Sequence, residues 1–214
     1  MPQGLLITLE GGEGCGKTTQ QALLSQRLTR LGIPHVVTRE PGGTALGERL
    51  RQLLLASDLQ PWTELLLFAA DRAEHVHRVI NPALGAGKVV LCDRFVDSTL
   101  AYQGYGRGLP LDQLQQLNHL ATQGVRPHLT LWLDVPPHVG LSRALQRQGK
   151  LDSIETQDLG FHQRLYHGFQ TLAEGDPKRW RRIDGVPGIE QVAEQIWRVV
   201  APWLGPFSPQ PHLS

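Results

Sequence analysis

Gly11-Gly12-Glu13-Gly14-Cys15-Gly16-Lys17-Thr18 fits the pattern GxxxxGK[ST] residue for residue. It starts one residue after the apolar run Leu5-Leu6-Ile7-Thr8-Leu9 and leads into a helical pattern from Lys17 to Leu31. Strand, Gly-rich turn, helix is the context a phosphate-binding loop needs. Glycines let the backbone wrap closely around an anion with its N–H groups pointing inward. The helix N-terminus adds partial positive charge, Lys17 reaches the outer phosphates, and the Thr18 hydroxyl is placed to ligate Mg²⁺. Gly11, Gly12, Glu13, Gly14, Cys15, Gly16, Lys17, Thr18 and the adjoining Thr19 are therefore the expected contacts to a nucleoside triphosphate.

At 214 residues the chain suits one α/β domain with modest insertions. Lys+Arg number 21 against 20 Asp+Glu, so the basic excess of a duplex-binding protein is missing and no nucleic-acid partner is expected. Nine histidines form no metal pattern: His75 and His77, two apart, point to different faces of a helix. Cys15 and Cys92 form neither a CxxC pair nor a disulfide framework and read as small buried residues. The other reading for Cys15 is a thiol of depressed pKa in an electropositive loop. No apolar stretch approaches the ~20 residues of a membrane span and no signal peptide opens the chain, so a cytoplasmic protein with no membrane partner is expected.

Strand-like runs at Leu5–Glu10, His35–Arg39, Lys88–Asp93, Leu129–Val135 and Trp180–Ile183 alternate with helical patterns. The helices are predicted at Lys17–Leu31, Ala45–Ala56, Trp62–Gly85, Leu111–Gly124, Val139–Gln148, Asp158–Glu174 and Ile189–Leu204. Such alternation predicts right-handed crossovers and a five-stranded parallel sheet covered on both faces. Ligands then sit at the carboxyl ends of the strands, where Glu13, Arg39-Glu40, Asp93-Arg94 and Asp134 cluster. Residues 1–204 read as one domain and 205–214 as a loosely ordered proline-rich tail.

Three further segments bear on a second substrate. Thr38-Arg39-Glu40-Pro41-Gly42-Gly43-Thr44 places an arginine and a Gly-rich turn after the second strand, a second anion site facing the first. Phe68-Ala69-Ala70-Asp71-Arg72 offers an aromatic face and a guanidinium one helical turn apart. Asp93-Arg94 through Ser98-Thr99-Leu100-Ala101-Tyr102-Gln103-Gly104 follows the third strand.

Together, in this order, these motifs resemble the thymidylate kinase family over essentially the whole chain up to the tail. The resemblance implies the P-loop nucleoside-monophosphate kinase core, with transfer of phosphate from ATP to dTMP in the presence of Mg²⁺. It implies that Lys17 and the loop amides hold the ATP phosphates, that Thr18 sits on Mg²⁺, that Asp93 helps hold the Mg²⁺ shell or orients the acceptor phosphate, and that Arg143 lies against adenine. For dTMP it implies Glu13 on the 3′-hydroxyl, Arg39 and Arg94 on the phosphate, and Phe68 stacked on thymine. Arg72 and Gln103 would meet the base edge, Ser98 its other side, and Tyr102 would crowd the 2′ position. A homodimer through long helices such as Trp62–Gly85 and Leu111–Gly124 is also implied.

Two positions depart from the family pattern. Gly14 stands where one type of thymidylate kinase has a catalytic arginine, which assigns the transition-state charge to a lid at about 143–155. Within the lid, Ser153 stands where relatives carry arginine, so Arg147, or failing that Lys150, is expected to supply that charge. Structural readings compete at several residues: Phe68 as plain core, Arg72 paired with Glu48 or another surface acid, Tyr102 as a packed turn aromatic, and Arg39 and Arg94 as structural ion pairs. The run Lys178-Arg179-Trp180-Arg181-Arg182 reads as a solvated edge, and Asp134 as structural or outside the metal shell. The competing functions are a related (deoxy)nucleotide kinase with another acceptor and a nucleotide-dependent switch, for which no guanine-reading NKxD motif is present.

Overall fold

The computed structural model describes residues 4–56, 59–148 and 156–207, with the backbone alone at 147 and 148. Five strands, β1 (Leu5–Glu10), β2 (His35–Arg39), β3 (Val89–Asp93), β4 (Leu129–Asp134) and β5 (Trp180–Asp184), form one sheet in the order β2-β3-β1-β4-β5. All four pairings are parallel, with Leu5 opposite Val89, Ile7 opposite Leu129, His35 opposite Val89 and Thr130 opposite Trp180. The central strand β1 lies between β3 and β4: the chain leaves it toward β2 on one side, and the connection after β3 passes across it to β4 on the other. That arrangement opens a crevice at its carboxyl end, where the Gly-rich loop begins.

The helices are α1 (Lys17–Arg30), α2 (Ala45–Ala56), α3 (Pro61–His75), α4 (Asn81–Gly85), α5 (Val96–Thr99), α6 (Leu111–Thr122), α7 (Pro137–Gln148), α8 (Leu159–Gly175) and α9 (Ile189–Val200). α3 and α4 are joined by a wider π-type turn, Val76–Ile80, so the predicted single helix is continuous but locally rewound. The two sheet faces are covered differently. Leu5, Ile7 and Leu9 point to a layer containing Leu24 and Leu28 of α1 and Val192 and Ile196 of α9. The intervening Leu6 points the other way, toward Val76, Ile80 and Phe95. The period-2 alternation of a strand buried on both faces produces this division. Every residue of β1 and β4 is buried.

One stretch differs from the sequence expectation. Val96–Thr99 and the π-wound Leu100–Gly106 are helical, although Ser98, Thr99, Gly104 and Gly106 favour helix poorly. Packing overrides propensity here: a Cβ on Gly106 would meet the Phe161 ring of α8, so the small residue permits the close approach. Tyr102, Trp132, Phe161, Phe169 and Trp180 fill the layer beneath. At the other end of the chain, Gly205–Phe207 form a single 3₁₀ turn, and Phe207 packs on the α1–α9 core layer. Among the described residues no helix is long and apolar enough to cross a membrane.

Candidate active site

A cleft of about 740 Å³ opens at the carboxyl ends of β1, β2 and β3. The loop from Glu13 to Thr19 forms one wall; Thr38–Pro41, Phe68, Arg72, Asp93-Arg94, Ser98, Tyr102 and Gln103 form the rest. Residues expected to hold a triphosphate and residues expected to hold an acceptor therefore face one space.

On the loop side, Gly16 takes a left-handed conformation (φ 94°) and starts α1. Lys17 is buried, and its Nζ donates to the carbonyls of Gly11 (3.0 Å) and Gly12 (2.9 Å), with Cys15 Sγ at 3.3 Å. Gly14 has φ +62°, and a Cβ there would collide with the Gly140 carbonyl of α7. The backbone of α7 thus leaves no room for an arginine in this slot.

The Thr18 hydroxyl donates to Asp93 Oδ2 (3.0 Å), while Asp93 Oδ1 is buried with no hydrogen-bond partner. A hydroxyl beside an unsatisfied carboxylate oxygen fits Mg²⁺, which is held by one or two protein oxygens and completed by phosphate oxygens and water. Among the described residues no cluster of three His, Cys, Asp or Glu could hold a metal by itself.

The acceptor side centres on Arg94. It adopts φ +69°, a conformation that costs a non-Gly residue about 1–3 kcal/mol and is kept where the surroundings impose it. Here the Arg94 amide donates to Leu9 O, Nη1 to Gly11 O (3.1 Å), and Nη2 to Glu13 Oε1 (2.7 Å). The guanidinium also lies 4.8 Å from the Tyr102 ring centroid. The Tyr102 hydroxyl donates to the same Glu13 Oε1. Burial would raise the Glu13 carboxyl, but Arg94 and Lys17 outweigh it and bring its pKa down to about 2. Glu13 is therefore ionised at neutral pH. Among the described residues no protein donor occupies its Oε2.

The other predicted residues are placed as follows. Arg39 lines the cleft, but its Nη2 is shared by both Glu48 oxygens at 2.9 Å and half of its side chain is exposed. The ion-pair reading for Arg39 thus describes this state of the cleft, with Glu48 as its partner. Arg72 is buried and makes four bonds within the protein: to Glu40 (2.8 Å), Thr99 (2.7 Å), Asn118 (2.6 Å) and the Phe95 carbonyl (3.0 Å). Its acid is the buried Glu40, neither Glu48 nor another surface acid. Phe68 is half-buried in the cleft wall, so it is not plain core. Ser98 and Gln103 are buried in the same wall. Arg143 sits away from this cleft, on α7, and donates to the carbonyls of Gly185 (2.9 Å) and Val186 (2.8 Å) after β5. Arg147 lies on α7 with its side chain outside the described residues, as are Lys150 and Ser153. Asp134 pairs with Arg182, and Arg179 with Asp97 and Asp176. The basic run is thus partly bound into ion pairs rather than freely solvated.

Two contributors were not singled out in the sequence. Arg51 lines the cleft with Arg39 and Arg94 and donates to the Pro41 carbonyl (3.1 Å). Burial, and next the positive Arg39, pull its guanidinium below its usual pKa. It lies one turn after Glu48 on α2, a spacing that points to the cleft only once the Arg39–Glu48 pair is known. Glu10, fully buried at the end of β1, accepts from the Phe95 amide (2.8 Å) and the Ser98 hydroxyl. Burial, with Asp97 next, pushes its carboxyl up to about 8. No local pattern marks it, because its partners lie 85 and 88 residues away.

A parallel sheet carrying a phosphate loop on its central strand, opposite a compartment lined by arginines and aromatics, defines a P-loop phosphotransferase of the nucleotide-kinase type. Comparison with known proteins is specific. Residues 9–196 match the family model described as thymidylate kinase. A thymidylate kinase of Synechococcus sp. (strain JA-3-3Ab) is 62% identical over 208 residues, covering 97% of this chain and 100% of that protein. One from Gloeobacter violaceus is 53% identical over 203 residues, covering 94% and 96%. The crystal structure of thymidylate kinase from Ehrlichia chaffeensis superposes with a TM-score of 0.79 at 38% identity, covering 93% of this chain and 100% of that one. The chain belongs to the thymidylate kinase family.

Proposed function

We propose that this protein transfers the γ-phosphoryl group of ATP to dTMP, giving dTDP and ADP, a step toward dTTP. The observation that carries the reading is the single cleft shared by the Lys17 loop and the Glu13–Arg94–Tyr102 cluster. Two polyanions must approach each other, and Lys17, Arg94, Arg39 and Arg51 supply positive charge around the transfer path. An acceptor phosphate, with a second pKa near ~6, is largely dianionic at pH 7, so no base is needed to create the nucleophile. An acceptor phosphate oxygen attacks the γ-phosphorus as the bond to the β-bridging oxygen breaks, and ADP leaves.

Thr18 and Asp93 would hold Mg²⁺, which when bound neutralises phosphate charge. Glu13 Oε2 accepts the 3′-hydroxyl, Tyr102 fills the 2′ side, Phe68 stacks on the base, and Arg72, Ser98 and Gln103 meet its edge. Arg72 has four of its five N–H groups committed to the protein, leaving one for the base. The segment 143–155 acts as a lid that excludes water over ATP, with Arg143 beside adenine and Arg147 giving the transition-state charge. Residues 1–204 serve as one domain and 205–214 as its tail, whose first turn, Gly205–Phe207, packs back on the domain. The proposal carries a cytoplasmic location with it, the compartment that holds ATP and dTMP. Exposed Leu46, Leu53, Trp62, Leu66 and Leu120 on α2, α3 and α6 support a homodimer through that layer, which sedimentation analysis would test.

An ADP-release assay with Mg²⁺–ATP and dTMP, dUMP, dCMP, dGMP or UMP as separate acceptors tests the reading. Strong turnover with dTMP, weaker with dUMP and negligible with UMP is the expected result. Preference for another monophosphate would overturn it in favour of a related nucleotide kinase.

A further inference from the structure

Glu64 has no part in the phosphate chemistry, yet it is buried beside the base end of the cleft. It lies one turn before Phe68 and two before Arg72 on α3, at i, i+4 and i+8, so the three side chains leave the helix on one face. Its Oε1 accepts from Gln103 Nε2 at 2.9 Å and from Arg107 Nε at 3.3 Å; its Oε2 accepts from Arg107 Nη2 at 2.8 Å. Arg107 is fixed in turn by its own amide, which donates to the Tyr102 carbonyl (2.9 Å), and by Nη1, which donates to Gln157 (3.0 Å).

The chemistry of these groups is one-sided. A guanidinium only donates, so a carboxylate gripped by it presents acceptors alone to its other neighbours. The Gln103 amide can therefore meet Glu64 only through its NH₂ end. Turning the amide over would set two acceptors against each other in a buried site, where an unmet polar group is costly. Among the described residues no protein group donates to Gln103 Oε1, so the carbonyl is the end left for a ligand.

We infer that Glu64 is a positioning residue that holds the Gln103 amide carbonyl-outward and so gives the base pocket the polarity of a hydrogen-bond acceptor. A pyrimidine with an N3–H, such as thymine or uracil, donates to that carbonyl. Cytosine presents a bare N3 lone pair and meets it acceptor to acceptor. The base preference is thus set one residue behind the one that touches the base, by an ion pair joining α3 to the end of the 100–106 helical turn. The inference rests on the reading of Gln103 as facing the base of the acceptor.

The test is kcat/KM for dTMP and dCMP in wild type, Glu64→Gln, Gln103→Ala and the double variant, with a thermal melt of each. Glu64→Gln keeps the size of the side chain but can donate, so the Gln103 amide loses its fixed sense. It is expected to narrow the dTMP-over-dCMP ratio about tenfold or more, through KM for the monophosphate, with KM for ATP within about twofold. In the Gln103→Ala background the same change should alter the ratio by less than about twofold, because Glu64 acts through Gln103. Retention of the wild-type ratio in Glu64→Gln, while Gln103→Ala loses it, overturns the inference and leaves Gln103 reading the base. Equal effects of Glu64→Gln with and without Gln103 also overturn it. An unchanged ratio in Gln103→Ala removes Gln103 from base reading and the inference with it. Should Glu64→Gln fail to fold, NMR of the wild-type Gln103 side-chain amide decides the matter. Protons protected from exchange before dTMP is added support the inference, and protection that arises only with dTMP contradicts it.

Discussion

Arg94 and Glu13, the first after β3 and the second in the loop after β1, form an ion pair 2.7 Å long at the point where the two halves of the cleft meet. The pair ties an arginine in a strained backbone conformation to the loop expected to carry the triphosphate. It leaves one Glu13 oxygen without a protein donor among the described residues. The proposed acceptor site and the proposed triphosphate loop are therefore linked through one ion pair.

That pair gives stability a defined pH dependence. The Glu13 carboxyl lies at about 2 in the fold against an ordinary 4.5, so it contributes stability above pH 4.5 that is lost as pH falls from there toward 2. The contribution is on the order of 3 kcal/mol. Glu10 has the opposite sign: raised from 4.5 to about 8, it contributes stability below pH 4.5 that is lost as pH rises through 8. Denaturant melts from pH 3 to 9 should show Glu13→Gln flattening the acid limb and Glu10→Gln the alkaline limb. Parallel curves for wild type and Glu13→Gln below pH 4.5 would contradict the ion-pair account.

Thr18 and Asp93 meet across 3.0 Å with one Asp93 oxygen left over. Asp93→Asn keeps the shape and removes the charge. The Mg²⁺ concentration for half-maximal turnover should rise about ten- to a hundredfold, and EDTA should abolish turnover in both proteins. An unchanged Mg²⁺ requirement would place the metal elsewhere.

With a Cβ at Gly14 excluded by the Gly140 carbonyl, an arginine at that loop position is ruled out, and the proposed lid Arg147 is the candidate to replace it. Arg147→Ala is expected to lower kcat by about 10³ with KM for dTMP little changed, since an arginine of this kind acts on the transition state. A kcat within about threefold of wild type would remove Arg147 from that role.

The Tyr102 hydroxyl is aimed at Glu13, on the side assigned to the sugar. Tyr102→Phe should raise the ratio of ribosyl-TMP to dTMP turnover about tenfold by making room for a 2′-hydroxyl, at little cost in stability because the ring still packs against Phe161 and Phe169. Competitive turnover with both acceptors in one reaction measures this directly.

The GxxxxGK[ST] loop, the alternation of strand and helix, and the strand-end polar residues were all legible in the chain, because each depends on neighbours within a few positions. Local geometry follows from local sequence: apolar alternation gives the strand, glycines the turn, Lys17 the helix start. The 96–106 helix was not legible, since its glycines and β-branched residues disfavour helix and only contact with α8 overrides them. Nor could spacing show that Arg39 pairs with Glu48, that Arg72 makes four bonds inside the protein, or that Arg51 joins the cleft. Glu10 reaches Ser98 over 88 residues and Glu64 reaches Gln103 over 39, distances at which pattern carries no information about contact. Residue identity alone supplied the inventory of charges and donors. Which partner each one met was decided by the tertiary fold, because a buried charge or amide must find a complementary group wherever packing brings one within about 3 Å.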